Sequence, residues 1–116
     1  MKDEMLKGSC KACESGVGLL SGDALTEGLA GLKGWTCNAD RTAISRTFEF
    51  SNFYKTMAFV NAVAWIANRE DHHPDLEVGY SKCKVVFSTH SAGGITDNDL
   101  ICAKAVDALD GSPGEN

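Results

Sequence analysis

Apolar residues recur with a helical period over residues 52–69, where Phe53, Met57, Val60, Ala64 and Ala67 fall three and four positions apart. This spacing predicts the longest helix of the chain. Phe59, Trp65 and Ile66 widen the apolar surface beyond one stripe, so the helix is expected to cover a sheet with one side and to meet another surface, such as a second subunit, with the other. A shorter helix is predicted from residue 21, with Ser21 or Asp23 as N-cap, Leu25, Leu29 and Leu32 along one face, and Gly34 as its end. Residues 35–37 and 43–50 read as two strands around a polar Asn38-Ala39-Asp40-Arg41 turn, the second alternating Ile44, Phe48 and Phe50 with Ser45, Thr47 and Glu49. Leu76, Val78 and Tyr80 alternate again, as do Cys83, Val85, Phe87 and Thr89. After a Gly93-Gly94 turn, Thr96-Asp97-Asn98-Asp99 resembles a capping box opening a last helix that would bury Ile101, Cys102, Ala105, Ala108 and Leu109. The order α-β-β-α-β-β-α predicts an α+β fold: a four-stranded antiparallel sheet with helices on one face, in two layers.

Composition narrows this picture. A chain of 116 residues with 43% hydrophobic and 23% charged residues suits one globular domain. The expected division is an N-terminal arm over residues 1–20, the domain over 21–110 and a tail over 111–116. The net charge of -5 and the lack of a basic segment argue against direct nucleic-acid contact. The longest apolar stretch, residues 57–67, contains Asn61 and falls short of the roughly 20 residues that cross a bilayer. Residues 1–7 carry mixed charge with no apolar run behind them, so a secretory signal is not indicated and a cytoplasmic protein is expected. Five cysteines make an odd number, and Cys37, Cys83 and Cys102 sit in core-like patterns, which disfavours a disulfide scaffold. Cys10 and Cys13 form a lone C-x-x-C, a weak metal signal without a second pair.

The candidate chemistry lies in the three histidines. His72 and His73 fall between a helix end and a strand, and His90 follows a strand, so none occupies a periodic core position. Topology allows strand ends to bring them together. Imidazole is suited to general acid and base catalysis because both protonation states are accessible near neutral pH. Three imidazoles could instead hold zinc, with the fourth position open to water or filled by an aspartate such as Asp71 or Asp99, a reading disfavoured because adjacent side chains on extended backbone diverge. No G-x-S-x-G, G-x-x-x-x-G-K or G-x-G-x-x-G motif occurs, which withdraws support from several commoner enzyme classes.

The segments Asp71-His72-His73-Pro74-Asp75, Tyr80, Thr89-His90-Ser91-Ala92-Gly93-Gly94-Ile95-Thr96 and Asp99 together resemble the pterin-4a-carbinolamine dehydratases. Their spacing is specific: the third histidine stands seventeen residues after the second, and the aspartate nine after the third. Trp35 and Phe48-x-Phe50-x-x-Phe53 extend the resemblance to roughly residues 25–109. It implies helices against a four-stranded antiparallel sheet. The implied activity is dehydration of 4a-hydroxytetrahydrobiopterin to quinonoid dihydrobiopterin, which recycles the pterin of aromatic amino acid hydroxylases without any cofactor.

Carried over by position, His72 and His90 would be the acid-base pair and His73 would orient the pterin. Asp99 would hydrogen-bond His90, unless its carboxylate merely suits the first turn of a helix. Asp71, His72, His73, Pro74, Thr89, His90, Ser91 and Ala92 would line the pterin site. Asn68 departs from the family at a position often acidic, and withholds a carboxylate's charge from that edge. The resemblance further implies a homodimer or homotetramer. Its other implication, for a different class of function, is a role as dimerisation cofactor of a transcription factor.

Overall fold

The computed structural model describes residues 19, 20 and 22–109. The expected arm, apart from Leu19 and Leu20, the cap candidate Ser21, the pair Cys10 and Cys13, and the tail lie outside the described residues. The elements are α1 (Gly22–Ala30), β1 (Thr36–Cys37), β2 (Ile44–Glu49), α2 (Phe53–Glu70), β3 (Asp75–Val78), β4 (Lys82–Phe87), a single 3-10 turn (His90–Ala92) and α3 (Asp97–Leu109). The predicted α+β order is therefore observed. The four strands form one antiparallel sheet in the order β1-β2-β4-β3.

Alternation sorts the sheet's two faces. Ile44 and Phe48 of β2 stand beside Phe87 and Cys83 of β4, and all four are buried. The intervening Thr47 and Glu49 stand beside Lys84 and Lys82 and face water. Onto the apolar face pack Leu25 of α1, Phe59, Val63 and Ile66 of α2, and Cys102, Ala103 and Val106 of α3. Trp35 joins them, its ring 6.2 Å from Phe48 in an edge contact and 6.0 Å from Phe87. Fully burying side chains of this size contributes about 1.5–3 kcal/mol each.

Several expectations need correction. α1 stops at Ala30, with Leu32 in the turn that follows, because Gly28, Gly31 and Gly34 weaken a longer helix. Asp23 lies in its first turn and is not its cap. α2 turns Phe59, Val63 and Ile66 to the core, whereas Phe53 is 47% exposed and Ala64 faces solvent. An all-round apolar helix offers more than one register, and the sheet selects among them. Tyr80 leaves the strand pattern for the two-residue turn between β3 and β4, where Gly79 and Lys82 close the hairpin, and it is 67% exposed. On α3 the core side is Cys102, Ala103 and Val106, while Ala108 and Leu109 are exposed.

One buried polar cluster ties the layers together. Asp107 of α3 accepts hydrogen bonds from the Trp35 indole at 2.8 Å, the Arg46 guanidinium at 2.7 Å and the Lys33 backbone N–H at 3.0 Å. Arg46 also lies 4.1 Å above the Phe48 ring. Burial is compatible with this carboxylate because charge and every acceptor lobe in use are matched.

Candidate active site

Strand register decides from which end of the sheet the histidine segments leave. Asp75 of β3 lies opposite Val86 of β4, and the strands are antiparallel. The chain before Asp75 and the chain after Val86 therefore leave the sheet at the same end. This places His72, His73 and Pro74 at the end from which Thr89, His90, Ser91 and Ala92 emerge.

The end of α2 sets the histidine pair. Asn52 caps its start by accepting the Lys55 N–H at 2.8 Å. At its other end the His72 N–H reaches Ala67 O at 3.1 Å and the Asp71 N–H reaches Asn68 O at 3.3 Å, a Schellman closure. Asp71 takes the left-handed conformation this closure requires, φ 55 and ψ 41, which a non-glycine residue adopts at a cost of about 1 kcal/mol or more. Adjacent side chains then part: His72 is 7% exposed and turns inward, whereas His73 and the Asp71 side chain face solvent.

His72 is held on two sides. Its ring lies nearly parallel to Phe87, with centroids 6.0 Å apart and planes 9° from parallel. Its Nε2 is 2.6 Å from Oδ1 of Asp99, which is fully buried. The other carboxylate oxygen accepts the Thr89 hydroxyl at 2.7 Å and the Thr96 backbone N–H at 2.9 Å. Thr96 in turn accepts the Asn98 N–H at 3.2 Å, and the two threonine hydroxyls are 2.9 Å apart. The expected capping box is thus formed, with aspartate in the reciprocal position, and its carboxylate serves the helix and the histidine together.

The remaining residues form the outer part. His90 is exposed on the 3-10 turn, which closes through Gly93 in the left-handed region at φ 81 and through Thr89 N–H to Gly94 O at 2.8 Å. Ser91 is exposed, and Ala92 and Pro74 are half-buried. His73 Nε2 is 3.2 Å from the Asn68 side-chain oxygen. The expectation that Asp99 serves His90 is corrected: its carboxylate faces His72. From the third position of α3 it bends back to its own cap, whereas His90 lies exposed on the outer turn. Thr89 likewise spends its hydroxyl inward on Asp99. Thr96 and Phe87 were not singled out as site residues from the sequence; the capping-box pattern was the available signal for Thr96, and Phe87 read only as core.

Among the described residues no group of three histidine, cysteine or carboxylate side chains could hold a metal ion. Cys37, Cys83 and Cys102 are free thiols, and burial pushes the Cys83 thiol up. No helix among the described residues is long and apolar enough to cross a membrane.

Comparison with known proteins gives this geometry a context. Residues 18–109 match the family model for pterin 4 alpha carbinolamine dehydratase. The chain belongs to that family. A relative from Nitrosospira multiformis, provisionally named a pterin-4-alpha-carbinolamine dehydratase, is 49% identical over 107 residues, covering 92% of this chain and 93% of its own. A relative from Legionella pneumophila strain Corby under the same provisional name is 47% identical over 110 residues, covering 94% and 97%. The crystal structure of a transcriptional coactivator/pterin dehydratase from Brucella melitensis is similar with a TM-score of 0.77 and 33% identity over 80% of this chain and 99% of that one. A pterin dehydratase-like protein identified as a RuBisCO assembly factor in the alpha-carboxysome shares the fold at a TM-score of 0.59 and 24% identity, over 68% of this chain and 92% of that one. Membership in the pterin carbinolamine dehydratase family supports a dehydratase.

Proposed function

We propose that the protein dehydrates 4a-hydroxytetrahydropterins to the quinonoid dihydropterin by histidine acid-base catalysis. The carrying observation is the register of β3 against β4, which gathers the His72–Pro74 and Thr89–Ala92 segments at one sheet end. Elimination requires the C4a–O bond to break with a proton delivered to the leaving hydroxyl, while the N5–H proton is removed and its electron pair forms the new double bond. Water and the quinonoid product account for all atoms, and no electrons are gained or lost.

His90, exposed on the 3-10 turn, is assigned the acid. His72 is assigned the base, because Asp99 behind it stabilises the imidazolium that accepting a proton creates. His73 and the Asn68 amide present donors and acceptors that suit the amino-pyrimidine edge of a pterin. Asp71, Pro74, Ser91 and Ala92 complete the lining. No cofactor is part of this mechanism, and the product is one that a reductase could return to the pterin pool of an aromatic amino acid hydroxylase.

The test is the absorbance change on 4a-hydroxytetrahydropterin loss, with chelator present, for wild type, His72→Ala and His90→Ala. Wild type should accelerate the reaction, and each variant should lose about a hundredfold or more of that acceleration while remaining folded. A folded wild type without acceleration overturns the reading.

A protein-interaction role is the second reading, favoured by an open apolar groove of about 410 Å³ between α2 and α3. Ala62, Trp65, Ile66, Ala105 and Leu109 line it, with Trp65 62% exposed beneath the Arg69 guanidinium. The groove suits either a second copy, as in a homodimer or homotetramer, or a transcriptional partner. His72→Ala and His90→Ala should leave any such binding intact, whereas Trp65→Glu should abolish it and spare dehydration.

A further inference from the structure

We propose that Thr89 and Thr96 are positioning residues: through Asp99 they fix the neutral His72 imidazole with its proton on Nε2. The inference rests on the acid-base reading of His72 and follows from counting hydrogens in a site almost closed to water. Thr89 and Thr96 are 3% and 5% exposed, and Asp99 is fully buried.

The Thr96 backbone N–H can only donate, and it points to Oδ2 of Asp99. The Thr89 hydroxyl has one hydrogen and spends it on the same oxygen. Its contact with Thr96 must then be supplied by the Thr96 hydrogen. The Thr96 oxygen, having donated, still accepts the Asn98 N–H. Every hydrogen in the chain therefore runs one way, from the first turn of α3 through both hydroxyls to the carboxylate.

Both hydrogens point at Oδ2 of Asp99, which acts purely as an acceptor. Its remaining oxygen, 2.6 Å from the imidazole, completes the pattern by accepting from His72 Nε2. Turning the imidazole over would keep its stack on Phe87 but set the Cε1 carbon where Nε2 stands, so Nδ1 cannot take that place. A capping box by itself requires neither the Thr89 hydroxyl nor the His72 contact, so the network exceeds what starting a helix demands.

The experiment uses the full chain labelled with nitrogen-15 and reads the imidazole nitrogen shifts through long-range proton correlations, with His72→Gln assigning the His72 signals. Wild-type neutral His72 should show a pure Nε2–H tautomer. Thr89→Val should move it toward a mixture and lower kcat roughly tenfold, the scale of losing an orienting partner, with KM nearly unchanged. Thr89→Ser should restore both. If Thr89→Val does not fold, Thr96→Val against Thr96→Ser carries the same comparison.

An Nδ1–H tautomer in wild type, or a hydroxyl-free folded variant with unaltered tautomer and kcat, overturns the proposal. A wild type that fails to dehydrate pterin yet shows the tautomer and its loss in Thr89→Val overturns the reaction alone and supports the positioning.

Discussion

α3 carries two buried carboxylates that do opposite work. Asp107 is surrounded by an indole, a backbone N–H and the permanent cation of Arg46. Asp99, eight residues earlier, is met by two neutral donors and by a histidine that can change its charge. A charge matched by a fixed cation secures α3 to the sheet and has nothing to transfer. A charge matched by a histidine answers each proton that histidine gains or loses. One helix thus fastens the fold at its second half and holds the His72 imidazole at its first turn.

The largest expected effect separates these roles. Asp99→Asn should lower kcat/KM by at least about a hundredfold, because the amide can present its N–H to Nε2 and favour the wrong tautomer. Asp107→Asn should leave kcat/KM near wild type in the same assay. Next in size is stability: denaturant titration should show Asp107→Asn less stable by about 3 kcal/mol, since the buried ion pair with Arg46 and the charge-assisted bonds from the Trp35 indole and the Lys33 N–H would lose the carboxylate charge. If Asp107→Asn instead lost activity at full stability, the division between the two carboxylates would fail.

The smallest effect concerns the strained residue before the site. Asp71→Gly should raise stability by about 0.5 kcal/mol by relieving the positive φ. A loss measured by thermal unfolding would show that the Asp71 side chain contributes more than its conformation costs.

Much of the fold was legible because it rests on local pattern. Alternation at Ile44, Phe48, Cys83, Val85 and Phe87 specified the sheet's inner face, and the capping box located the start of α3. That the His72–Pro74 and Thr89–Ala92 segments leave the sheet at one end followed from two adjacent strands joined by a hairpin, once register supplied which ends coincide. The face of α2 was not legible, because Phe53, Met57 and Val60 compete with Phe59, Val63 and Ile66 and only the sheet decides. Asp107 gave no local signal either. Its partners Lys33, Trp35 and Arg46 lie 61–74 residues away, beyond any periodicity. For Asp99 two roles were read as alternatives, whereas a carboxylate has two oxygens and fills both, with His72 in the place expected for His90.

The most direct test of the account is an NMR titration with an oxidised pterin that lacks the 4a-hydroxyl and cannot react. Binding at the histidine end of the sheet predicts shifts of the His72, His73 and His90 ring signals and of the Thr89 and Ser91 amides, with the Trp35 indole N–H unmoved. Shifts centred on Trp35 and Arg46, or no shifts at saturating pterin, would contradict it.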